Sequence, residues 1–333
     1  MFNKNAEILI TGGAGFIGYH VANFYLKKDY RVVIIDNLSN YYSTDLKNKR
    51  LKILKKKYNK ITFYKTDISK YTSIRKIFKK HKFKLVINLA AQPGVRASII
   101  NPKLVFKNNI NGFFNILNLV KDFKINHLIY ASTSSVYGNC NKHKYNENDI
   151  NNTPLQMYSA SKISNELLAY AYSNIYKLNI TGLRFFTVYG PFGRPDMAYY
   201  TFTDKILNNQ KINIYNHGNH KRDFTYIDDI VKGIYNTSKY MPKYYTKNFQ
   251  AVSHQVVNLG SGKQFPLKNM ISIIEKLLNK KSKSVLLPPQ EGDMENTLSN
   301  INKAKKIIKY KPAVNLEVGL KKFINWYTKF YNK

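Results

Sequence analysis

Hydrophobic residues in the first half of the chain follow two patterns in turn. Short runs rich in β-branched residues predict strands, and the longer amphipathic stretches between them predict helices. The predicted strands lie at residues 7–11, 31–36, 61–66, 84–88, 127–132 and 180–185. Strands that alternate with helices in this way predict an α/β fold with a doubly wound parallel sheet.

After residue 186 the pattern changes to loops rich in Pro, Gly and aromatic residues, followed by shorter helices and isolated strands. We therefore expect a first domain at 1–186 and a smaller C-terminal α/β lobe at 187–333, with parts of about 224–260 packing back on the first domain. One long helix is predicted to have Thr153 as N-cap and Pro154 in its first turn, and to run to about Lys177. Residues 241–250 are polar and aperiodic, which predicts a mobile surface loop.

The composition limits what the chain can bind. It has 333 residues and a single cysteine, and no secretory leader pattern is recognisable, so we expect a cytoplasmic protein. No apolar run approaches the roughly 20 residues of a membrane helix. The formal net charge of +35 would suit a polyanion, but the lysines are scattered and no nucleic-acid-binding motif accompanies them. Neither a specific nucleic-acid partner nor a membrane partner is predicted.

A glycine-rich turn follows the first predicted strand. The sequence Gly12-Gly13-Ala14-Gly15-Phe16-Ile17-Gly18 places glycines where the chain leaves the strand and begins a helix. Such a turn lets the backbone approach a pyrophosphate at the positive end of the helix, as in Rossmann-type folds. Asp36 ends the next strand, where its carboxylate can bind both adenosine ribose hydroxyls and would repel a 2′-phosphate. The pattern predicts NAD rather than NADP, and the alternative is a structural turn with a solvated aspartate.

Tyr158 and Lys162 lie four positions apart on a predicted helix, so their side chains share one face. A phenol with a pKa of about 10 is a poor base at neutral pH. A nearby ammonium and an oxidised nicotinamide would lower that pKa by stabilising the phenolate, and Tyr158 could then act as a general base. A tyrosine and a lysine four positions apart are common on surface helices. The pair therefore indicates a catalytic role only in combination with the glycine-rich turn.

The run Leu89-Ala90-Ala91 after the fourth strand and the run Thr133-Ser134-Ser135 after the fifth complete a pattern that resembles the extended short-chain dehydrogenase/reductase family over nearly the whole chain. Longer blocks at 90–96, 183–191, 193–197 and 221–229 are similar to the UDP-glucuronate 4-epimerases of that family. The resemblance implies that Tyr158 is the catalytic base and that Lys162 also holds the nicotinamide ribose. It implies that Thr133 binds the reacting hydroxyl.

Motif and resemblance together assign the remaining binding residues. Besides Tyr158 and Lys162, the predicted NAD-binding residues are Gly12, Gly15, Phe16, Ile17, Gly18, Asp36, Asn37, Asp67, Ile68, Leu89, Ala90, Ala91 and Asn109. The predicted substrate-binding residues are Arg96, Ser134, Ser135, Thr187, Arg194, Arg222 and Asp293, with Arg194 and Arg222 at the UDP end. Residues 1–186 would then bind NAD and residues 187–333 mainly the UDP-sugar. The resemblance also implies a homodimer formed through helices on one face of the nucleotide domain.

The two residues after Thr133 distinguish the reactions that can follow oxidation of the sugar at carbon 4. Related 4,6-dehydratases carry Thr-Asp-Glu before Val-Tyr-Gly, and UDP-xylose synthases carry Thr-Ser-Glu, but this chain carries Thr133-Ser134-Ser135. Without a carboxylate there, elimination has no obvious acid or base. We therefore expect the 4-keto sugar to take the hydride back on its other face, which is epimerisation.

Three hydroxyl groups favour a uronic acid as the sugar. Ser134, Ser135 and Thr187 can donate hydrogen bonds to a sugar carboxylate without adding negative charge. The predicted reaction is therefore the conversion of UDP-glucuronate to UDP-galacturonate, and ordinary capping of strand ends is the alternative role for these hydroxyls.

Two other functions remain open at this point. A UDP-glucose/UDP-galactose 4-epimerase would use the same NAD chemistry. A protein that senses NAD or a nucleotide would share the fold, although an intact Thr133, Tyr158 and Lys162 favours an enzyme. The seven histidines are scattered, so no metal site is predicted.

Overall fold

The computed structural model describes residues 6–138, 140, 142–149, 153–243, 245–247 and 250–333. Its strands, in chain order, are β1 (Glu7–Thr11), β2 (Arg31–Asp36), β3 (Ile61–Lys65), β4 (Phe83–Asn88), β5 (His127–Thr133), β6 (Ile180–Phe185), β7 (Thr187–Tyr189), β8 (Lys211–Ile214), β9 (Lys221–Arg222), β10 (Phe224–Tyr226), β11 (Tyr245–Lys247), β12 (Gln250–Val252), β13 (His254–Leu259), β14 (Phe265–Pro266) and β15 (Lys283–Leu286). Its α-helices are α1 (Phe16–Lys27), α2 (Thr44–Lys57), α3 (Tyr71–Lys80), α4 (Val95–Ile100), α5 (Pro102–Val105), α6 (Gly112–Asp122), α7 (Met157–Tyr176), α8 (Ala198–Leu207), α9 (Ile227–Lys239), α10 (Leu267–Leu278), α11 (Asn302–Ile308) and α12 (Leu316–Tyr331).

Seven strands form one parallel sheet in the order β13-β6-β5-β4-β1-β2-β3. Strands β2 and β3 lie on one side of β1, and strands β4, β5, β6 and β13 lie on its other side. A crevice opens at the carboxyl ends of the strands where the direction reverses. The doubly wound parallel sheet is confirmed, and each of the six predicted strands agrees with the observed one to within one residue at either end.

The central strands are buried on both faces of the sheet. Ile8 and Ile10 of β1 point to one face, where they pack in a core with residues of α1, α2 and α9. Leu9 points to the other face and packs with residues of α3, α6 and α7. Because successive strand residues alternate between faces, a strand covered on both sides must be apolar at almost every position.

The predicted start of the long helix is wrong. Helix α7 begins at Met157 with Gln156 as its N-cap, so Thr153 and Pro154 both precede it. Gln156 is extended, with φ of −160°, and Ser159 Oγ lies 2.9 Å from its carbonyl oxygen and also contacts its side-chain oxygen. This hydrogen bond links the first turn of the helix to Gln156. The predicted end is close, since Lys177 adopts a left-handed conformation directly after the helix.

Residues 241–250 are not described throughout, because 244 and 248–249 lie outside the described residues. Where the segment is described, strands β11 and β12 pair antiparallel, with Tyr245 opposite Val252. The described strand residues are therefore paired in regular structure, which differs from the predicted irregular loop.

The second half of the chain contributes both to the sheet and to a smaller lobe. Strand β13 pairs with β6, and α9 packs on α1, where Tyr25 OH donates to Ser238 Oγ at 2.8 Å. The buried carboxylate of Asp223 organises the lobe. It accepts hydrogen bonds from the backbone amides of Ser261, Gly262 and Ser299 at 2.7, 3.1 and 3.1 Å.

Gly182 allows strand β6 to pack closely on Tyr130, and Gly182→Ala should therefore destabilise the protein. An added Cβ would lie 2.6 Å from both Cζ and the hydroxyl oxygen of Tyr130. Overpacking of this kind costs about 1–3 kcal/mol of unfolding free energy, measurable by thermal or urea unfolding. Combined with Tyr130→Phe, the loss should be smaller than the sum of the two single losses, because both substitutions act on one contact. A wild-type stability for Gly182→Ala would contradict this packing.

Candidate active site

A cavity of about 690 Å³ occupies the crevice at the carboxyl ends of the parallel strands, with walls from both halves of the chain. The predicted site residues that line it are Gly12, Gly15, Phe16, Ile17, Gly18, Asp36, Asn37, Asp67, Ile68, Leu89, Ala90, Ala91, Arg96, Thr133, Ser134, Ser135, Tyr158, Lys162, Thr187, Arg194, Arg222 and Asp293. The structure therefore brings together residues that are separated by up to most of the chain length.

Asn109 is the predicted site residue that does not line the cavity. It is buried behind the cavity wall and stabilises Gln92 and Ser161. Its side chain accepts from Gln92 N at 2.7 Å and donates to Gln92 O and Ser161 Oγ at 3.2 and 3.1 Å. Its neighbour Asn108 lines the cavity instead. Both lie in a turn of π-helix at Phe106–Asn111, and such a turn changes which side chain faces a given direction.

The glycine turn lies against the segment that follows β4. Gly12 has a positive φ of 69°, and a Cβ there would lie 2.8 Å from Ala90 N. A Cβ at Gly18 would lie 2.1 Å from Gly12 O, so only glycine permits the first turn of α1 to approach β1 this closely. The turn leaves the amino end of α1 directed at the cavity, with room for a phosphate group against the backbone.

Asp36 joins the end of β2 to the glycine turn. Its Oδ2 accepts from Ala14 N at 3.0 Å and its Oδ1 accepts from Leu38 N at 2.8 Å. Burial raises the pKa of the carboxyl above its ordinary value, and the two backbone hydrogen bonds and Lys47 oppose that rise. Asp67 lies nearby and accepts from Asn37 Nδ2 at 3.0 Å. Each Asp36 oxygen thus has one fixed donor and can still accept a hydroxyl.

The predicted catalytic residues meet where β5 faces α7. Thr133 is the last residue of β5, and Tyr158 and Lys162 lie on α7. Lys162 is 3% exposed, its Nζ donates to Ala131 O at 3.0 Å, and it lies 6.0 Å from the centre of the Tyr158 ring. Thr133 also accepts from Ser135 N at 3.2 Å, which ties the reacting centre to the 3₁₀ turn at Ser134–Tyr137.

Burial acts on both titratable groups of the reacting centre. It raises the pKa of Tyr158 above its ordinary value, and the charge of Arg194 and a hydrogen bond with Thr133 only partly offset that rise. Burial lowers the pKa of Lys162 to about 8, against the opposing effect of Glu166. The side chains alone therefore do not produce the expected lowering of the pKa of Tyr158, and the positive charge of an oxidised nicotinamide would act in that direction.

Arg194 lies close enough to Tyr158 to act on its pKa, although the sequence placed it at the UDP end. Its Nε donates to Asp196 Oδ1 at 3.0 Å, and its Nη2 forms an ion pair with the same carboxylate. Its guanidinium lies 5.7 Å from the centre of the Tyr41 ring, and Tyr41 OH donates to Asp196 at 3.1 Å. Arg194 thus borders the region where a sugar would react.

The far end of the cavity carries Arg222, Asp293 and Arg96. Arg222 donates to Glu295 O at 2.7 Å, and its other terminal nitrogen lies 3.3 Å from His220 Nδ1. Arg96 stacks across the cavity over Tyr215 at 5.0 Å from the ring centre. Sequence reasoning missed the lining residues Tyr41, His220 and Tyr215 because they come from loops without a motif of their own.

The described residues contain neither a candidate metal site nor a candidate membrane-spanning helix. No cluster of three or more His, Cys, Asp or Glu side chains is placed to hold a metal ion there. Nor does any helix in that part of the chain have the length and apolar character needed to span a membrane.

Residues 8–244 match the NAD dependent epimerase/dehydratase family. Protein CapI of Staphylococcus aureus is 42% identical over 98% of this chain and 100% of its own length, and a UDP-glucuronate 4-epimerase of Thermodesulfobacterium geofontis is 40% identical over 96% and 95%. The crystal structure of UDP-glucuronic acid 4-epimerase from Bacillus cereus, in complex with UDP-glucuronic acid and NAD, superposes with a TM-score of 0.88 at 33% identity, covering 98% of this chain and 100% of that one.

The lowered pKa of Lys162 can be measured directly. Lysine side-chain NMR should show one resonance that is absent from Lys162→Met and that titrates near pH 8, because burial disfavours the ammonium. Exposed lysines should titrate near about 10.4. If the resonance assigned to Lys162 titrated with the exposed lysines, the described burial of its Nζ would be wrong.

Proposed function

The chain belongs to the NAD-dependent epimerase/dehydratase family, and we propose that it inverts carbon 4 of a UDP-linked uronic acid, converting UDP-glucuronate to UDP-galacturonate. The observation that carries the proposal is the placement of Thr133, Tyr158 and Lys162 in one cavity beside Ser134 and Ser135. Relatives that are about 40% identical over nearly the whole chain are UDP-glucuronate 4-epimerases.

The glycine turn and Asp36 fit NAD. A Cβ at Gly12 would clash with the backbone of Ala90 and a Cβ at Gly18 with the backbone of Gly12, so glycine at both positions permits the tight turn that directs the amino end of α1 at a pyrophosphate. The buried Asp36 carboxylate can bind ribose hydroxyls and would repel the 2′-phosphate of NADP. The other residues proposed to hold the cofactor are Gly15, Phe16, Ile17, Asn37, Asp67, Ile68, Leu89, Ala90, Ala91, Tyr158 and Lys162.

Residues of the chain itself take up and return the proton of the sugar 4-hydroxyl. NAD held by the cofactor-binding residues would supply a reversible hydride acceptor for carbon 4. Tyr158 takes the proton of the 4-hydroxyl, and Thr133 holds that hydroxyl by a hydrogen bond. Lys162 carries the positive charge that favours the phenolate, and because Tyr158 can give the same proton back, no outside acid or base is needed.

The carboxylates of the cavity do not favour elimination. Those among its described lining residues are Asp36, Asp67, Asp196 and Asp293. Asp36 accepts from Ala14 N of the glycine turn, Asp67 accepts from Asn37, and Asp293 lies near Arg222 at the far end of the cavity. Asp196 is paired with Arg194, whose charge holds the pKa of that carboxyl low in spite of burial. A 4-keto sugar bound beside Ser134 and Ser135 therefore meets hydroxyl groups and not a free base.

The same hydroxyl groups support a uronic acid as the sugar. Ser134 and Ser135 begin the 3₁₀ turn after β5, and Thr187 begins β7, where its backbone amide donates to Asp223 O at 3.0 Å. These groups can donate to a sugar carboxylate without adding negative charge. Arg96, Arg194, Arg222 and Asp293 are proposed to bind the rest of the UDP-sugar, with residues 1–186 holding mainly NAD and 187–333 mainly the UDP-sugar.

We propose a homodimer formed by α6 and α7. Large apolar side chains are exposed on these neighbouring helices, with Leu167 66%, Ile175 63% and Phe114 42% exposed. A group of exposed apolar side chains on neighbouring helices favours the association of two chains, because pairing removes this apolar surface from water. The single cysteine, which cannot form an internal disulfide, supports a cytoplasmic location.

Epimerisation is tested by following UDP-glucuronate by proton NMR. The wild type should form UDP-galacturonate without loss of carbon dioxide, and Tyr158→Phe should lower kcat about 10²- to 10⁴-fold because the proton acceptor is removed. Tyr170→Phe on the same helix is the control and should keep wild-type activity. Turnover of UDP-glucose with none of UDP-glucuronate would overturn the uronate assignment, and no turnover of either sugar would favour a sensor.

The proposed dimer is tested by light scattering. The wild type should have about twice the chain mass of 38.8 kDa. Leu167→Glu should give the monomer mass, because a carboxylate at the interface would have to be desolvated. Leu286→Glu, which introduces the same charge at a 56% exposed position of β15, should remain dimeric. A monomeric wild type would refute the dimer.

A further inference from the structure

Two opposite charges are buried directly behind the reacting centre. Glu166 on α7 is 6% exposed and Arg184 on β6 is 0% exposed. Arg184 Nε donates to Glu166 Oε1 at 2.9 Å and Arg184 Nη2 donates to Oε2 at 2.7 Å, so the arginine engages both carboxylate oxygens. A buried pair with this two-fold contact is costly to desolvate and is not by itself a reason for stability. Its position suggests another role.

Glu166 lies one helical step beyond Lys162. Tyr158, Lys162 and Glu166 follow each other at intervals of four, so they lie on the same side of α7, next to β5. Lys162 Nζ donates to Ala131 O at 3.0 Å, and Ser132 Oγ donates to Glu166 Oε1 at 2.5 Å. The next residue of β5 is Thr133. Two consecutive residues that precede Thr133 are therefore fastened to α7.

A lysine and a glutamate four apart on a helix would ordinarily attract each other. In the part of the chain that the structure describes, however, the ion pair of Glu166 is with Arg184, and no Lys162–Glu166 pair falls within 4.0 Å. Because both carboxylate oxygens already accept from Arg184, Lys162 stays on Ala131 O, within 6.0 Å of the Tyr158 ring centre.

Arg184 also reaches the turn that carries the two serines. Its Nη1 donates to Tyr137 OH and to Glu147 O, each at 2.9 Å. Tyr137 ends the 3₁₀ turn that Ser134 begins, and its hydroxyl donates to Asn258 Oδ1 at 2.6 Å. One guanidinium therefore fixes the base-bearing helix and the hydroxyl-bearing turn relative to each other.

We propose that Glu166 and Arg184 are positioning residues for the reaction, in which Arg184 occupies the carboxylate of Glu166 so that Lys162 stays directed at Tyr158 instead of pairing with Glu166. The inference rests on the proposed function, since it assigns a role in the reaction of Tyr158 and Lys162. It predicts that the loss of Arg184 alone lowers kcat more than the loss of both partners does.

The charges around Lys162 set the expected pH behaviour. Glu166 and Tyr158 face it from α7, Arg184 faces Glu166 from β6, Arg194 acts on Tyr158, and Lys303 of α11 acts on Glu166. Burial lowers the pKa of Lys162 to about 8, and the negative charge of Glu166 opposes that lowering. Removal of the Glu166 charge should therefore lower the pKa of Lys162 further, so the ammonium would be lost at a lower pH.

The test compares Glu166→Gln, Arg184→Gln and the double variant with the wild type. Arg184→Gln should lower kcat about 10²-fold, because a misplaced catalytic group has a cost of that order. The double variant should be faster than Arg184→Gln alone, because no free carboxylate remains to capture Lys162. Glu166→Gln should leave KM nearly unchanged and move the alkaline limb of the kcat profile to lower pH. Asp229→Asn, which alters a buried carboxylate of α9 that accepts from Ala313 N and Val314 N, should move neither limb.

Two results would overturn the proposal. One is an alkaline limb in Glu166→Gln at the wild-type pH, and the other is a double variant no faster than Arg184→Gln. If Arg184→Gln fails to fold, the double variant, in which neither member of the pair is left without its partner, replaces it: its alkaline limb should also lie at lower pH than that of the wild type, and a limb at the wild-type pH would overturn the proposal. The NMR titration of Lys162 in Glu166→Gln needs no substrate, so it tests the placement of the charges even if UDP-glucuronate proves not to be the substrate.

Discussion

The fastening of helix α7 to the last residues of strand β5 is the contact on which the reacting centre depends. Four helical residues rise about 6 Å, and two strand residues rise about 6.6 Å. Helix positions four apart can therefore face strand positions two apart. Lys162 therefore contacts Ala131, and Tyr158 lies beside Thr133. The other walls of the cavity surround these two contacts. The parallel sheet supplies a rigid edge, and the glycine turn and the C-terminal lobe complete the walls.

The electrostatics of the cavity suit an anionic substrate and a base that is active only in the assembled complex. The cationic side chains among its described lining residues are Lys47, Arg96, Lys162, Arg194, Lys205 and Arg222, against four carboxylates. A UDP-uronic acid brings negative charge from its diphosphate and its carboxylate, which this excess of positive charge can balance. Burial meanwhile raises the pKa of Tyr158, and the positive charge of a bound cofactor would lower it. The high net charge of the whole chain is not needed for either effect.

The strands were predictable because their burial on both faces forces continuous apolar runs, and the glycine turn and Asp36 were predictable because phosphate and ribose recognition demand those residues at those positions. The start of α7 was not, since the Thr153–Pro154 signal competes with the link between Gln156 and Ser159, and sequence alone does not rank the two. Asn109 lies in the same π-helical turn as Asn108, which lines the cavity. A π-helix does not follow the α-helical period of 3.6 residues, so the direction of each side chain in this turn could not be predicted from the sequence pattern. Tyr41, Tyr215 and Arg184 acquire their partners only through tertiary contacts. Glu166 could have been noticed from its spacing after Lys162, but its partner Arg184 lies on strand β6 and is not close to it in sequence.

The most direct test of a transient 4-keto intermediate uses UDP-glucuronate labelled with deuterium at carbon 4. If the hydride leaves carbon 4 and returns to its other face within one cavity, the UDP-galacturonate formed should keep the deuterium at carbon 4 and also keep its carboxylate. Mass spectrometry and proton NMR of the product measure both. Loss of the label to solvent, or its transfer to cofactor added in solution, would contradict the account.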